Sequence, residues 1–128
     1  MSWFRSTSLA VGLLAGAALL GWWSLRPAAG QSVERTSRTF AVTARRYAFS
    51  PARIEVTEGD IVTIDLKTDD IPHSLTIDAY RLSKRVNPGQ PVSFEFRADH
   101  AGTFPFYCNL QIDEGCRQMR GELVVRPR

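Results

Sequence analysis

Hydrophobic and polar residues alternate in short runs along most of the chain after residue 38. Phe40-Ala41-Val42-Thr43-Ala44 and Arg53-Ile54-Glu55-Val56 each put every second residue on one face, the two-residue period of a half-buried strand. Ile61 to Leu66 sets Val62, Ile64 and Leu66 against Thr63 and Asp65. His73 to Asp78 alternates again. So do Pro91 to Arg97, through Val92, Phe94 and Phe96, and Gly102 to Cys108, through Phe104 and Phe106. Gly121 to Arg126 makes a last run. Turn residues punctuate the pattern at Glu58-Gly59-Asp60 and Asn87-Pro88-Gly89-Gln90. Ala79 to Val86 has room for a turn of helix. Seven short strands in residues 31–128 predict an all-β domain, a Greek-key antiparallel β-sandwich.

The N-terminus follows a different pattern. Ser6 to Leu25 is an uncharged run of 20 residues, rich in Leu, Ala and Gly, that ends near Trp22 and Trp23. Arg5 precedes it and Arg26 follows it. Such a run is long enough to span a bilayer as a helix, and Trp suits the membrane interface. Ala28-Ala29-Gly30 before Gln31 also resembles a signal-peptide cleavage site. The expected organisation is therefore a signal peptide or membrane anchor over residues 1–30, with possible membrane attachment through residues 6–25. A linker over 31–38 and one domain over 39–128 follow. Either fate of the N-terminus puts the domain on the periplasmic or extracellular side.

Composition narrows the chemistry. The 128 residues hold two His, two Cys and two Met, too few for zinc clusters, iron–sulfur runs or a disulfide-dense scaffold. Residues 1–30 carry Arg5, Arg26 and no acid, so the net charge of +3 falls to +1 for the rest. A balance so even gives no reason to expect nucleic acid as a partner.

Parity then selects a small set of side chains. His73 shares a face with Leu75 and Ile77, and Cys108 continues the face of Phe104 and Phe106. Both are expected to point inward at strand ends. The segment Cys108 to Met119 leads into the last strand and brings Cys116 and Met119 with it. One imidazole, two thiols and a thioether are soft donors that favour copper, Cu(I) above all. In an oxidising compartment the two thiols have an alternative, a Cys108–Cys116 disulfide. His100, in a turn before Gly102, is expected at the surface. Arg45, Arg46, Arg81, Lys84 and Arg85 are expected on a solvated face, with a docking surface for an acidic partner as the alternative.

Several motifs resemble a known family. They are Phe49-Ser50-Pro51 before Ile54-Glu55-Val56, Gly59-Asp60, His73-Ser74, Val86-Asn87-Pro88-Gly89, Gly102-Thr103-Phe104-Pro105-Phe106-Tyr107-Cys108 and Met119-Arg120-Gly121-Glu122-Leu123-Val124-Val125. Over about residues 40–126 the chain is similar to cupredoxins, above all to the copper-A domains of cytochrome c oxidase subunit II and nitrous oxide reductase. The resemblance implies a cupredoxin-like sandwich with copper at one end and a role in electron transfer. The copper-A pattern is an upstream His and then C-x3-C-x3-H-x2-M. His73, Cys108 and Met119 match it position by position, but its second Cys falls on Ile112 and its loop His on Cys116. An intact dinuclear centre is therefore not expected, and neither is a two-histidine blue-copper site.

These readings converge on an exported copper-binding protein that carries electrons and is not an enzyme. Its single copper ion is expected on His73, Cys108, Cys116 and Met119. Its partner is expected to be a redox protein or a copper-delivery protein. Two alternatives stay open: a Cu(I) carrier or store, and a metal-free sandwich closed by a Cys108–Cys116 disulfide.

Overall fold

The alternation in Ile61–Thr68 becomes a central strand whose every second residue is buried. Val62, Ile64 and Leu66 have no exposed surface. Phe96 and Phe94 stand opposite the first two on the antiparallel neighbour, so apolar side chains meet across the ladder. The computed structural model describes residues 35–128 and Gly12. The expected signal or anchor over residues 1–30 lies outside the described residues, apart from Gly12. Among the described residues no helix is long and apolar enough to cross a membrane.

Among the described residues nine strands form the domain: β1 Ser37–Arg45, β2 Ala48–Ser50, β3 Arg53–Thr57, β4 Ile61–Thr68, β5 His73–Ile77, β6 Leu82–Val86, β7 Val92–Arg97, β8 Gly102–Tyr107 and β9 Arg120–Arg126. One sheet has the order β2-β1-β4-β7 and the other β3-β9-β8-β5-β6. β1 begins inside the stretch read as a linker. The sheets are mixed rather than wholly antiparallel, because β1 runs parallel to β4 and β3 runs parallel to β9. A two-residue period fixes which face a side chain takes. It does not fix the direction of the neighbouring strand.

The inner faces pack as the alternation requires. Val42, Ile54, Leu75, Ile77, Phe106 and Leu123 are buried between the sheets. The rings of Phe49 and Phe106 meet edge to face with centroids 5.2 Å apart. Both expected turns form, and each has a glycine in the left-handed region: Gly59 at φ 92° and Gly89 at φ 74°. Ala79 to Val86 holds a short 3-10 turn, Asp78–Tyr80, that overlaps its start, and then strand β6. β6 pairs with β5 from His73↔Val86 to Ile77↔Leu82. One short helix, α1 Glu114–Gln118, breaks the β pattern just ahead of β9.

Candidate metal centre

Strand register gathers the expected donors at one end of the sandwich. β5 starts at His73, β8 ends at Tyr107, and the pair Thr76↔Tyr107 runs antiparallel, which brings Ser74 opposite Asn109. β8 and β9 pair through Tyr107↔Arg120, so Cys108 and Met119 follow and precede the ladder side by side. Cys116 arrives on α1. His73, Cys108, Cys116 and Met119 are all at most 2% exposed. The inward parity expected for His73 and Cys108 is what the structure has. Ile112, where copper-A domains carry a second Cys, is 55% exposed.

The two sulfurs are bonded. Cys108 and Cys116 form a disulfide, so neither sulfur is a thiolate in this form. Among the described residues no group of three or more His, Cys, Asp and Glu is arranged to hold a metal ion. That agrees with the disulfide, since a metal ligand must be the deprotonated thiol.

His73 shows the other half of the site. Its Nε2 lies 2.8 Å from Asp70 Oδ1. Asp70 also accepts the backbone N–H of Arg46 at 2.7 Å and of Ile71 at 2.6 Å, and its Oδ1 lies 3.2 Å from the Thr68 hydroxyl. Burial pushes the Asp70 carboxyl up. The backbone donations from Arg46 and Ile71 and the side-chain bonds to His73 and Thr68 outweigh it and hold the group well below the usual carboxylate range. An ionised carboxylate only accepts, so Nε2 carries the proton. In the neutral ring Nδ1 then keeps a lone pair. That Nδ1 is buried and has no hydrogen-bond partner. An orphaned buried nitrogen is costly, and a cation at that position would satisfy it. The orphaned His73 Nδ1 is thus chemically suited to accept a metal ion.

The cystine segment is held from several sides. Asp113 caps α1: its Oδ1 accepts the Cys116 N–H at 2.8 Å, and its Oδ2 accepts the Tyr47 hydroxyl at 3.2 Å. The Ser74 hydroxyl lies 3.7 Å from the Cys108 sulfur. Tyr107 lies under the Arg120 guanidinium, 5.1 Å from ring centroid to Cζ. Its hydroxyl is 3.0 Å from both Asp78 oxygens, and that hydrogen bond raises its pKa. A shallow depression of about 330 Å³ beside the cystine is lined by Tyr107, Cys108, Leu110, Arg117 and Arg120, among others. His100 is exposed, as expected, and its Nε2 is 3.5 Å from Asp99. Of the basic residues, Arg45 pairs with Asp69 at 3.2 Å, and Lys84 and Arg85 lie exposed on β6.

Sequence reasoning missed Asp70, Ser74, Asn109 and Asp113. Asp70 precedes His73 by three residues and Asp113 precedes Cys116 by three. Both spacings suit a carboxylate turning back onto its own loop. Ser74 and Asn109 are legible only from the register of β5 against β8.

Two packed mixed sheets with a buried His, a Met and a cystine at one end define a sandwich of the cupredoxin class. The chain belongs to the cupredoxin-like domain family, whose model matches residues 13–125. A nitrous-oxide reductase of Cupriavidus necator is 32% identical over 91 residues, 68% of this chain and 14% of the reductase. The chain thus spans a small part of that enzyme. Cytochrome c oxidase subunit 2 of Thermus thermophilus is 24% identical over 88 residues, 69% of this chain and 65% of that protein. A chain in the crystal structure of the mixed disulfide between a thioredoxin-like protein and subunit II of cytochrome c oxidase superposes with a TM-score of 0.61. It is 14% identical and covers 77% of this chain and 87% of its own length.

Proposed function

We propose that this chain is an exported copper-binding electron-transfer protein, with one copper ion held by His73, Cys108, Cys116 and Met119. The observation that carries the reading is the His73 ring, its Nε2 fixed on Asp70 and its Nδ1 buried without a partner. Copper bound there would supply a one-electron Cu(I)/Cu(II) couple. The protein's own part is to orient and to exclude water. Asp70 holds the imidazole in one tautomer and one rotation, as carboxylates behind metal-binding histidines do. Phe106 and Phe49 close the core below the ligand end. Met119 is wholly buried and backed by its N–H on the Cys116 carbonyl at 3.2 Å.

The disulfide supports a second element of the reading, that the ligand set is assembled by reduction. A dithiol reductant gives two electrons and its two thiol protons, the Cys108–Cys116 bond breaks to leave two thiols, and the reductant is itself oxidised to a disulfide. The redox partner that exchanges electrons with the copper is a separate protein in this reading.

A second thiolate in place of an imidazole favours Cu(I). This keeps a Cu(I) carrier as the competing function. Voltammetry with electron paramagnetic resonance on the reduced, copper-loaded full chain separates the two. A reversible couple with a mononuclear Cu(II) signal is the expected result. Tight Cu(I) binding with no stable Cu(II) form supports the carrier instead. A Cys116→Ala chain with unchanged copper affinity and spectrum sinks the role given to Cys116.

A further inference from the structure

The cystine is sealed. Cys108 is 1% exposed and Cys116 2%, so a reductant reaches neither sulfur until part of the structure moves. The Cys108 side is firmly held. Cys108 follows β8 directly, and the next residue is tied to β5: the Ser74 hydroxyl accepts the Asn109 N–H at 2.8 Å and lies 2.7 Å from Asn109 Oδ1. Asn109 Nδ2 also donates to Ser83 Oγ on β6 at 3.0 Å. Cys116 stands instead on α1, and its five residues are too few to hold a helix unaided. Residues 113–118 are therefore the segment that opens most readily.

One side chain from the β1–β2 hairpin grips that segment. Tyr47 stands in the two-residue tip between the paired residues Arg45 and Ala48. Its hydroxyl donates to Asp113 Oδ2 at 3.2 Å, while Asp113 Oδ1 accepts the Cys116 N–H at 2.8 Å. Its ring fills the space beside Gly115, where a Cβ would strike ring atoms Cδ1, Cε1 and Cζ. Only a glycine lets the ring lie so close. The hairpin is moored in turn to the β4–β5 loop. The Arg46 N–H donates to Asp70 Oδ2 at 2.7 Å, and the Arg45 guanidinium pairs with Asp69 at 3.2 Å. Tyr47 itself is 46% exposed, so its ring can swing into water without opening the core.

We propose that Tyr47 is a latch on the cystine, a positioning residue for α1 whose release lets residues 113–118 lift and brings Cys116 within reach of a thiol. The latch governs access to the oxidised form. It needs neither copper nor a charge on either sulfur, and it rests on the reading above only in that the cystine is a bond to be reduced. Dithiothreitol balances the reduction. Its two thiols supply two electrons and two protons, the S–S bond breaks to Cys108 and Cys116 thiols, and the reductant closes to its cyclic disulfide.

The test is the rate at which dithiothreitol reduces the folded, oxidised, metal-free full chain, in dilute urea below the unfolding transition. Reduction through a local opening follows the population of that opening and hardly changes with dilute urea, because little surface is exposed. Tyr47→Phe keeps the ring and loses the hydrogen bond, and should speed reduction about threefold. Tyr47→Ala removes both and should speed it about 10- to 100-fold. Gly115→Ala wedges the ring away, so it should speed reduction in the native chain and not in Tyr47→Ala. Val62→Ala weakens the core far from the latch and should leave the rate unchanged. An unchanged rate in Tyr47→Ala overturns the proposal and points to entry through the depression lined by Cys108. An equal acceleration by Val62→Ala, or a steep urea dependence in the native chain, overturns it in favour of global unfolding. If Tyr47→Ala does not fold, Tyr47→Phe and Gly115→Ala decide, and native rates in both reject the latch. Failure of copper binding while these rates hold leaves the latch intact.

Discussion

Asp70 links two loops through one carboxylate: it fixes His73 and accepts the Arg46 backbone from the β1–β2 connection. Its ionised form is favoured by folding, since its hydrogen bonds hold the folded pKa below the unfolded one. The stabilisation is therefore present above the ordinary Asp range near about 3.9 and is lost as pH falls through the folded value. Asp70→Asn should lower the melting temperature at pH 7 and flatten the loss of stability on acidification below about pH 4, as read by thermal melts across pH. In the reduced chain the same change should weaken Cu(I) binding about 10- to 100-fold, as read by chelator competition. The parity of His73 and Cys108 was legible from the alternation itself. The service of Asp70 and Ser74 was not, because it depends on how one turn folds back and on which strand lies beside β5.

At the scale of elements, α1 shows why short helices escape a pattern-based reading. Five residues hold too little of the 3.6-residue period to detect, and the helix stands on its cap and its packing instead. Asp113→Ala removes the bonds to the Cys116 N–H and the Tyr47 hydroxyl. It should cost about 1 kcal/mol, measured by urea unfolding of the oxidised chain. Amide exchange should quicken first over residues 113–118. Ala79 to Val86 has room for a turn of helix, and its start does belong to the 3-10 turn Asp78–Tyr80. Most of the rest is β6, whose polar run Ser83-Lys84-Arg85 is exposed in succession and shows no two-residue alternation, because an edge strand needs only one good neighbour, and β5 supplies it. The parallel pairs β1·β4 and β3·β9 were hidden for a related reason. Alternation assigns faces, whereas partners and directions come from the whole topology.

Across the described domain, one end of the sandwich is stapled by the cystine and the rest is held by apolar packing. Two features test that division. A Cβ at Gly121 would collide with the Phe106 ring and crowd the Ala52 carbonyl. Gly121→Ala should therefore cost about 1–3 kcal/mol by overpacking, in the oxidised and reduced chains alike. Opening the cystine, which spans a sequence separation of 8, should cost about 2–4 kcal/mol, as read by comparing unfolding with and without dithiothreitol. The nine-stranded core should survive that loss, since Val62, Ile64, Leu75 and Leu123 are wholly buried without help from the staple.

Copper uptake that depends on the state of the cystine is the central claim at this scale. It is tested most directly by titrating the full chain with Cu(I) against a competing chelator, once oxidised and once reduced, with thiols counted in each. One Cu(I) bound per reduced chain and none per oxidised chain is the predicted result. Equal uptake by both forms, or none by the reduced form, would contradict the account.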